Sequence, residues 1–180
     1  MIMHTKNTIG FLLLCFLFIQ TSGFAQKQYN PWQDKAETTF KRSDAQRQII
    51  PAQYRSLQLD ITELQAALKQ APPRFSTFAK QNLILLTLPM PDGTMQAFSI
   101  TDAPVMHSDL AARYPSIRTF TGKGIDDPTA SVRFDITPAG FHAMVLTNKT
   151  SSVFIDPYAK GDTEHYIACL LYTSPSPRDS

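Results

Sequence analysis

Three histidines outside the apolar leader, His107, His142 and His165, are the obvious candidates for chemistry in this chain. A metal centre needs several His, Cys or carboxylate donors brought together, most legibly two His one helical turn apart. No His-Glu-x-x-His is present, and each of the three stands alone in sequence. Glu164-His165 resembles half of an inverted zinc motif, but the position three residues before Glu164 is Gly161, which has no ligating side chain. For His142 the hairpin loop Thr137-Pro138-Ala139-Gly140 sets Ile136 opposite Phe141 and Asp135 opposite His142. That register predicts a cross-strand charge pair rather than a ligand.

Other patterns are equally thin in chemistry. The nucleophile elbow Gly-x-Ser-x-Gly does not occur, and Cys15 and Cys169 leave the stretch Gln26–Ala168 without a thiol. Gly122-Lys123-Gly124 lacks the Gly spacing and the Ser or Thr of a phosphate loop and reads as a flexible turn. Asp126-Asp127-Pro128 offers too few oxygens for Ca²⁺ and reads as a turn. Asn148-Lys149-Thr150 fits a glycosylation sequon and marks a surface turn between strands. No catalytic, cofactor-binding or metal-ligating residue is therefore assigned, and no cofactor is expected in this chain.

The elements around these residues are more legible. The chain has 180 residues, 43% of them hydrophobic and 18% charged, which suits a packed domain rather than a disordered tail. Its net charge of +2 is no nucleic-acid footprint. Residues 1–25 carry a short start with Lys6, an apolar run from Ile9 to Ile19 and a polar end, the organisation of a signal peptide cleaved between Ala25 and Gln26. The apolar run is too short for a permanent span, so no stable membrane span is expected after its removal. The exported product is expected to be secreted or at the cell surface.

Residues 26–50 are polar, with Trp32 and Phe40 as large anchors, and predict an extended or partly helical lead-in. The domain proper is expected over residues 51–168. Tyr54 to Asp60 reads as a strand, and Asp60 caps a short helix in which Leu64, Ala67 and Leu68 share one face. Glu63 is placed to reach back to the cap, and Pro72-Pro73 stops the helix. Leu83 to Leu88 and Thr94 to Thr101 form a hairpin around Pro89-Met90-Pro91-Asp92-Gly93, and Ser108 to Tyr114 makes a second short helix. Strands follow at Ser116 to Thr121, Ala130 to Ile136, Phe141 to Thr147, Val153 to Ile155 and Glu164 to Ala168. Sequential hairpins with two short helices predict an α+β domain on a mainly antiparallel β-sheet.

Several of these segments carry a resemblance. Pro51 to Asp60, Leu88 to Gly93, Ala103 to Met106, Tyr114 to Ile125, Thr137 to His142 and Val153 to Tyr158 together resemble the amino-terminal pro-region of secreted bacterial reprolysin-like zinc metalloproteases. The resemblance covers roughly residues 50–167. It implies a non-catalytic pro-region that aids folding and maintains latency, with its own catalytic domain as partner in cis. Zinc would belong to that domain, which would follow this chain, and none of the matching positions is catalytic in the family. Residues 169–180 are read as a non-native tail: Leu171 to Ser180 looks like a translated sequencing-adaptor segment, so the natural protein would continue beyond Ala168.

An alternative class is a small secreted β-rich binding module for a surface ligand or partner, motivated by Tyr29, Trp32 and Tyr158 as candidate exposed aromatics. An independent hydrolase is the weakest class, since neither a nucleophile nor a metal set is legible.

Overall fold

Alternating apolar and polar residues build a single sheet in the computed structural model, which describes residues 26–40, 46–47, 49–77, 79 and 83–171. The leader with Ala25, and the chain after Leu171, lie outside the described residues. The strands are β1 (Lys27–Tyr29), β2 (Trp32–Asp34), β3 (Tyr54–Leu59), β4 (Ile84–Pro89), β5 (Met95–Asp102), β6 (Arg118–Gly124), β7 (Ser131–Thr137), β8 (Gly140–Leu146), β9 (Val153–Pro157) and β10 (His165–Leu170). Two helices, α1 (Ile61–Gln70) and α2 (Ser108–Arg113), complete the expected α+β composition. No helix among the described residues is long and apolar enough to cross a membrane.

The spatial order is β1-β4-β5-β6-β7-β8-β9-β10-β3-β2, in ten strands. From β4 to β10 it is an antiparallel meander, and only β1 pairs in parallel, on β4. The two edge strands are consecutive in the chain, separated only by Asn30 and Pro31. A two-residue link cannot span an open ten-stranded sheet when neighbouring strands lie nearly 5 Å apart, so the sheet curls into a half-barrel with residues 27–34 at its seam.

Helix α1 secures that seam. Asp60 caps it as expected, Oδ1 accepting from the amides of Thr62 and Glu63. Glu63 does not complete the capping box: the Asp60 amide donates to the Pro31 carbonyl, and the Glu63 carboxylate accepts from the Asn30 amide. Both hydrogen bonds fall on the two seam residues.

The concave face holds the core. Leu64, Ala67 and Leu68 of α1 pack toward Leu57, Leu86, Phe98, Phe134, Phe141, Ile155 and Tyr166, all buried. Ile100, Gly122, Val132, Val145 and Val153 form one inward row across five strands. Gly122-Lys123-Gly124 is thus strand rather than the expected flexible turn. A Cβ on Gly122 would stand 2.9 Å from Val132 Cγ1 and 3.2 Å from the Ser99 carbonyl oxygen, so glycine is needed for close approach, not flexibility.

The polar stretch 26–50 is also more than a lead-in. It supplies β1 and β2, and its Phe40 and Arg47 lie against the convex face of β9, β10 and β3. There the Phe40 ring lies 4.1 Å from the His165 ring and edge-on to Tyr158, and Arg47 sits over the rings of Tyr54 and Tyr158. Its few large side chains are spent on anchoring, which is why periodicity showed nothing. At the other end β10 runs two residues past Ala168, with Cys169 buried and both Cys169 and Leu170 paired to β9.

Candidate functional site

The three histidines stay apart, and each faces its own aspartate. His107 precedes α2 with Nδ1 3.8 Å from Asp109, both exposed. On β10, His165 Nδ1 lies 3.0 Å from Asp162 Oδ2, while Asp162 Oδ1 accepts from the amides of Glu164 and His165. This is a buried turn lock. Glu164 accepts from Gln58 on β3 instead of joining His165 in a ligand set. Among the described residues no group of three or more His, Cys, Asp or Glu side chains is disposed to hold a metal.

Asp127 likewise organises a turn. It is buried, with Oδ1 accepting from the Thr129 amide and hydroxyl and Oδ2 from the Thr147 hydroxyl. These bonds, helped by Lys149 at 3.4 Å, hold its carboxyl down to about 2. Asn148, in the sequon, has its side-chain amide 2.8 Å from the Thr129 hydroxyl and is exposed on the facing turn.

His142 belongs to a different arrangement. The register places Asp135 opposite it on β7, as the loop length predicted. The imidazole nevertheless turns the other way: Nδ1 is 3.6 Å from Asp156 Oδ1 on β9. Asp135 remains close enough for its charge to be felt. Burial pushes both carboxyls above their usual range; His142 partly opposes this for each, and the charge of Asp135 raises Asp156 further. Asp156 is not legible from local pattern, because the six-residue link 147–152 leaves the β8–β9 register open.

This acid-imidazole-acid row lies in a 360 Å³ cleft on the convex face, between Val105 and Arg74 on one side and Phe154 and Met144 on the other. Among the described residues no hydroxyl or thiol is hydrogen-bonded to His142.

A second depression, of 550 Å³, lies between α1 and the β7–β8 hairpin. Ile61 and Leu68 face Ile136, Pro138, Phe141 and Tyr166 across it, with Lys69 and Arg118 at its border. The Tyr166 hydroxyl accepts from the Phe141 amide and donates to the Thr163 carbonyl, and burial pushes its pKa up to about 12.

The aromatics expected to be exposed are not. Tyr29 and Trp32 are 6% and 4% exposed; the Trp32 ring packs edge-on against Phe141 and Tyr166. Tyr158 is half-buried and donates to Glu37. All three anchor the seam and the segment that follows it. Gln26, the residue expected after signal cleavage, is exposed immediately before β1. Comparison with known families, curated proteins and solved structures finds no match for this chain.

Proposed function

We propose that this chain is the folded, non-catalytic pro-region of a secreted bacterial zinc metalloprotease precursor, acting on its own catalytic domain in cis by steric occlusion and as a folding aid. The observation that carries the reading is where the resembling segments fall. Leu88 to Gly93, Thr137 to His142 and Val153 to Tyr158 occupy hairpins and strand ends of one continuous sheet, so their order reflects one folded unit. The open apolar depression beside α1 supplies a surface on which a neighbouring domain can rest.

Covalent linkage gives such a module a high effective concentration at its partner, so a modest interface is sufficient for latency. Thiolate ligation of the partner's zinc has no support here. Cys is absent from Gln26 to Ala168, and Cys169 is buried within β10. Blocking is therefore assigned to bulk and to polar contacts.

The test is addition of the purified chain in trans to the separately produced catalytic domain of the same precursor. Peptidase activity should fall saturably with dose. Unchanged activity across a broad concentration range would overturn the proposal.

A further inference from the structure

The convex face of β5, β6 and β7 has an ordered polarity that neither the core nor the proposed occlusion accounts for. Two outward rows cross the three strands. One aligns Ser99, Lys123 and Ser131; the next aligns Thr101, Thr121 and Arg133. They floor a 400 Å³ trench that opens beside the cleft described above, and Arg74 lines both. Lys123 and Arg133 are exposed, and neither has an ion pair or side-chain hydrogen bond to another described residue. The hydroxyls of Ser99, Thr101 and Ser131 are equally without a hydrogen bond to a described residue. Among the described residues no carboxylate lines the trench; Asp135 lies one row along, and Asp126 accepts from the Ala97 amide beyond Ser99.

Arg74 is held over this surface by the backbone. Its amide donates to the Asp102 carbonyl, the Asp102 amide donates to Pro72, and Pro73 bridges to Asp102. The next residue, Phe75, has φ 69°, a left-handed conformation that a bulky side chain rarely adopts, and it is 88% exposed. Its ring lies 4.5 Å from the Arg74 guanidinium carbon. A strained, solvent-facing aromatic beside a clamped arginine is the kind of feature that persists at ligand clamps.

We infer that this trench is a binding site for an acidic carbohydrate, a sulfated or carboxylated oligosaccharide. Arg74, Lys123 and Arg133 face the acid groups, the arginines offering the forked donor geometry that matches an oxyanion. The free hydroxyls exchange hydrogen bonds with sugar hydroxyls, and Phe75 offers an apolar face to a pyranose ring. The trench crosses three strands of the sheet, which admits a chain of several sugar units rather than a single small ion. A nucleic acid fits less well, because three cations make a short basic patch on a chain whose net charge is only +2. The site stands independently of the pro-region proposal, since it uses none of the surface beside α1.

Calorimetric titration of the purified chain with a heparin-derived hexasaccharide, its neutral counterpart (desulfated and carboxyl-reduced) and an oligonucleotide of equal charge tests this. The sulfated sugar should bind, and binding should weaken with added salt. Arg133→Gln and Lys123→Gln should each weaken it roughly tenfold or more, the scale of a lost charge-assisted hydrogen bond. Phe75→Ala should also weaken it, whereas Lys160→Gln, which removes an exposed cation outside the trench, should leave affinity unchanged. Equal losses in Lys160→Gln and Arg133→Gln, equal affinity for the neutral sugar, tighter binding of the oligonucleotide, or no binding at all would each overturn the inference. The variants lie on an exposed face, and circular dichroism of each confirms that the fold is intact.

Discussion

Asp127 shows how a residue chosen for its oxygens can serve the fold. Adjacent carboxylates can serve as ligands or as turn formers; Asp126-Asp127-Pro128 reads as a turn in sequence, and the three hydroxyl and amide donors around Asp127 agree. Because these donors depress its folded pKa to about 2, below the unfolded value of about 3.9, its contribution is present above pH 4 and is lost as pH falls from about 4 toward 2. Urea denaturation of wild type and Asp127→Asn should therefore differ at pH 6, and the gap should narrow progressively through that acid window. A gap independent of pH would mean that shape, not charge, matters at this turn. His142 illustrates the opposite limit of legibility. Its cross-strand neighbour was predictable from a four-residue loop, but its actual contact, Asp156, required the register of a strand seven residues downstream.

Elements were legible where one local signal dominated. Asp60 and the Leu64-Ala67-Leu68 stripe sufficed for α1, and the Pro-Asp-Gly turn sufficed for the β4–β5 hairpin. Strand β6 shows where local signals mislead. Two glycines flanking a lysine look like a loop, yet Gly122 lies in an inward row between Ile100 and Val132, where no side chain fits. Gly122→Ala should destabilise the domain by about 1–3 kcal/mol, the usual cost of overpacking a filled core. The urea midpoint at constant slope measures this. A neutral result would show that the β6–β7 contact yields more readily than its spacing implies. A methyl on Gly124 would collide with the Asp127 carbonyl oxygen, which ties this strand end to the turn that Asp127 organises.

At the scale of the molecule, the curl of the sheet depends on contacts between segments remote in sequence. Arg55 on β3 is bidentate to Asp34 on β2 and also donates to the carbonyls of Met90 and Thr94, in the turn between β4 and β5. It clasps opposite sides of the half-barrel, and its guanidinium holds the Asp34 carboxyl below the usual range. Arg55→Met should cost about 1–3 kcal/mol, since charged hydrogen bonds are lost across the seam. Amide exchange should rise at Asp60 and along β1 and β2 well before it rises in β7 and β8; uniform protection in the variant would exclude a clasp. Sequence alone determined the class of the domain, the two helices, most strands and the β7–β8 register, because these follow from period, caps and loop length within a few residues. Only the tertiary structure decided that residues 27–34 form the seam, that Glu63 serves Asn30, and that three cations without an ion pair to a described residue line one trench. Each of these joins residues through pairing across the curled sheet, and strand order is not encoded in any local window.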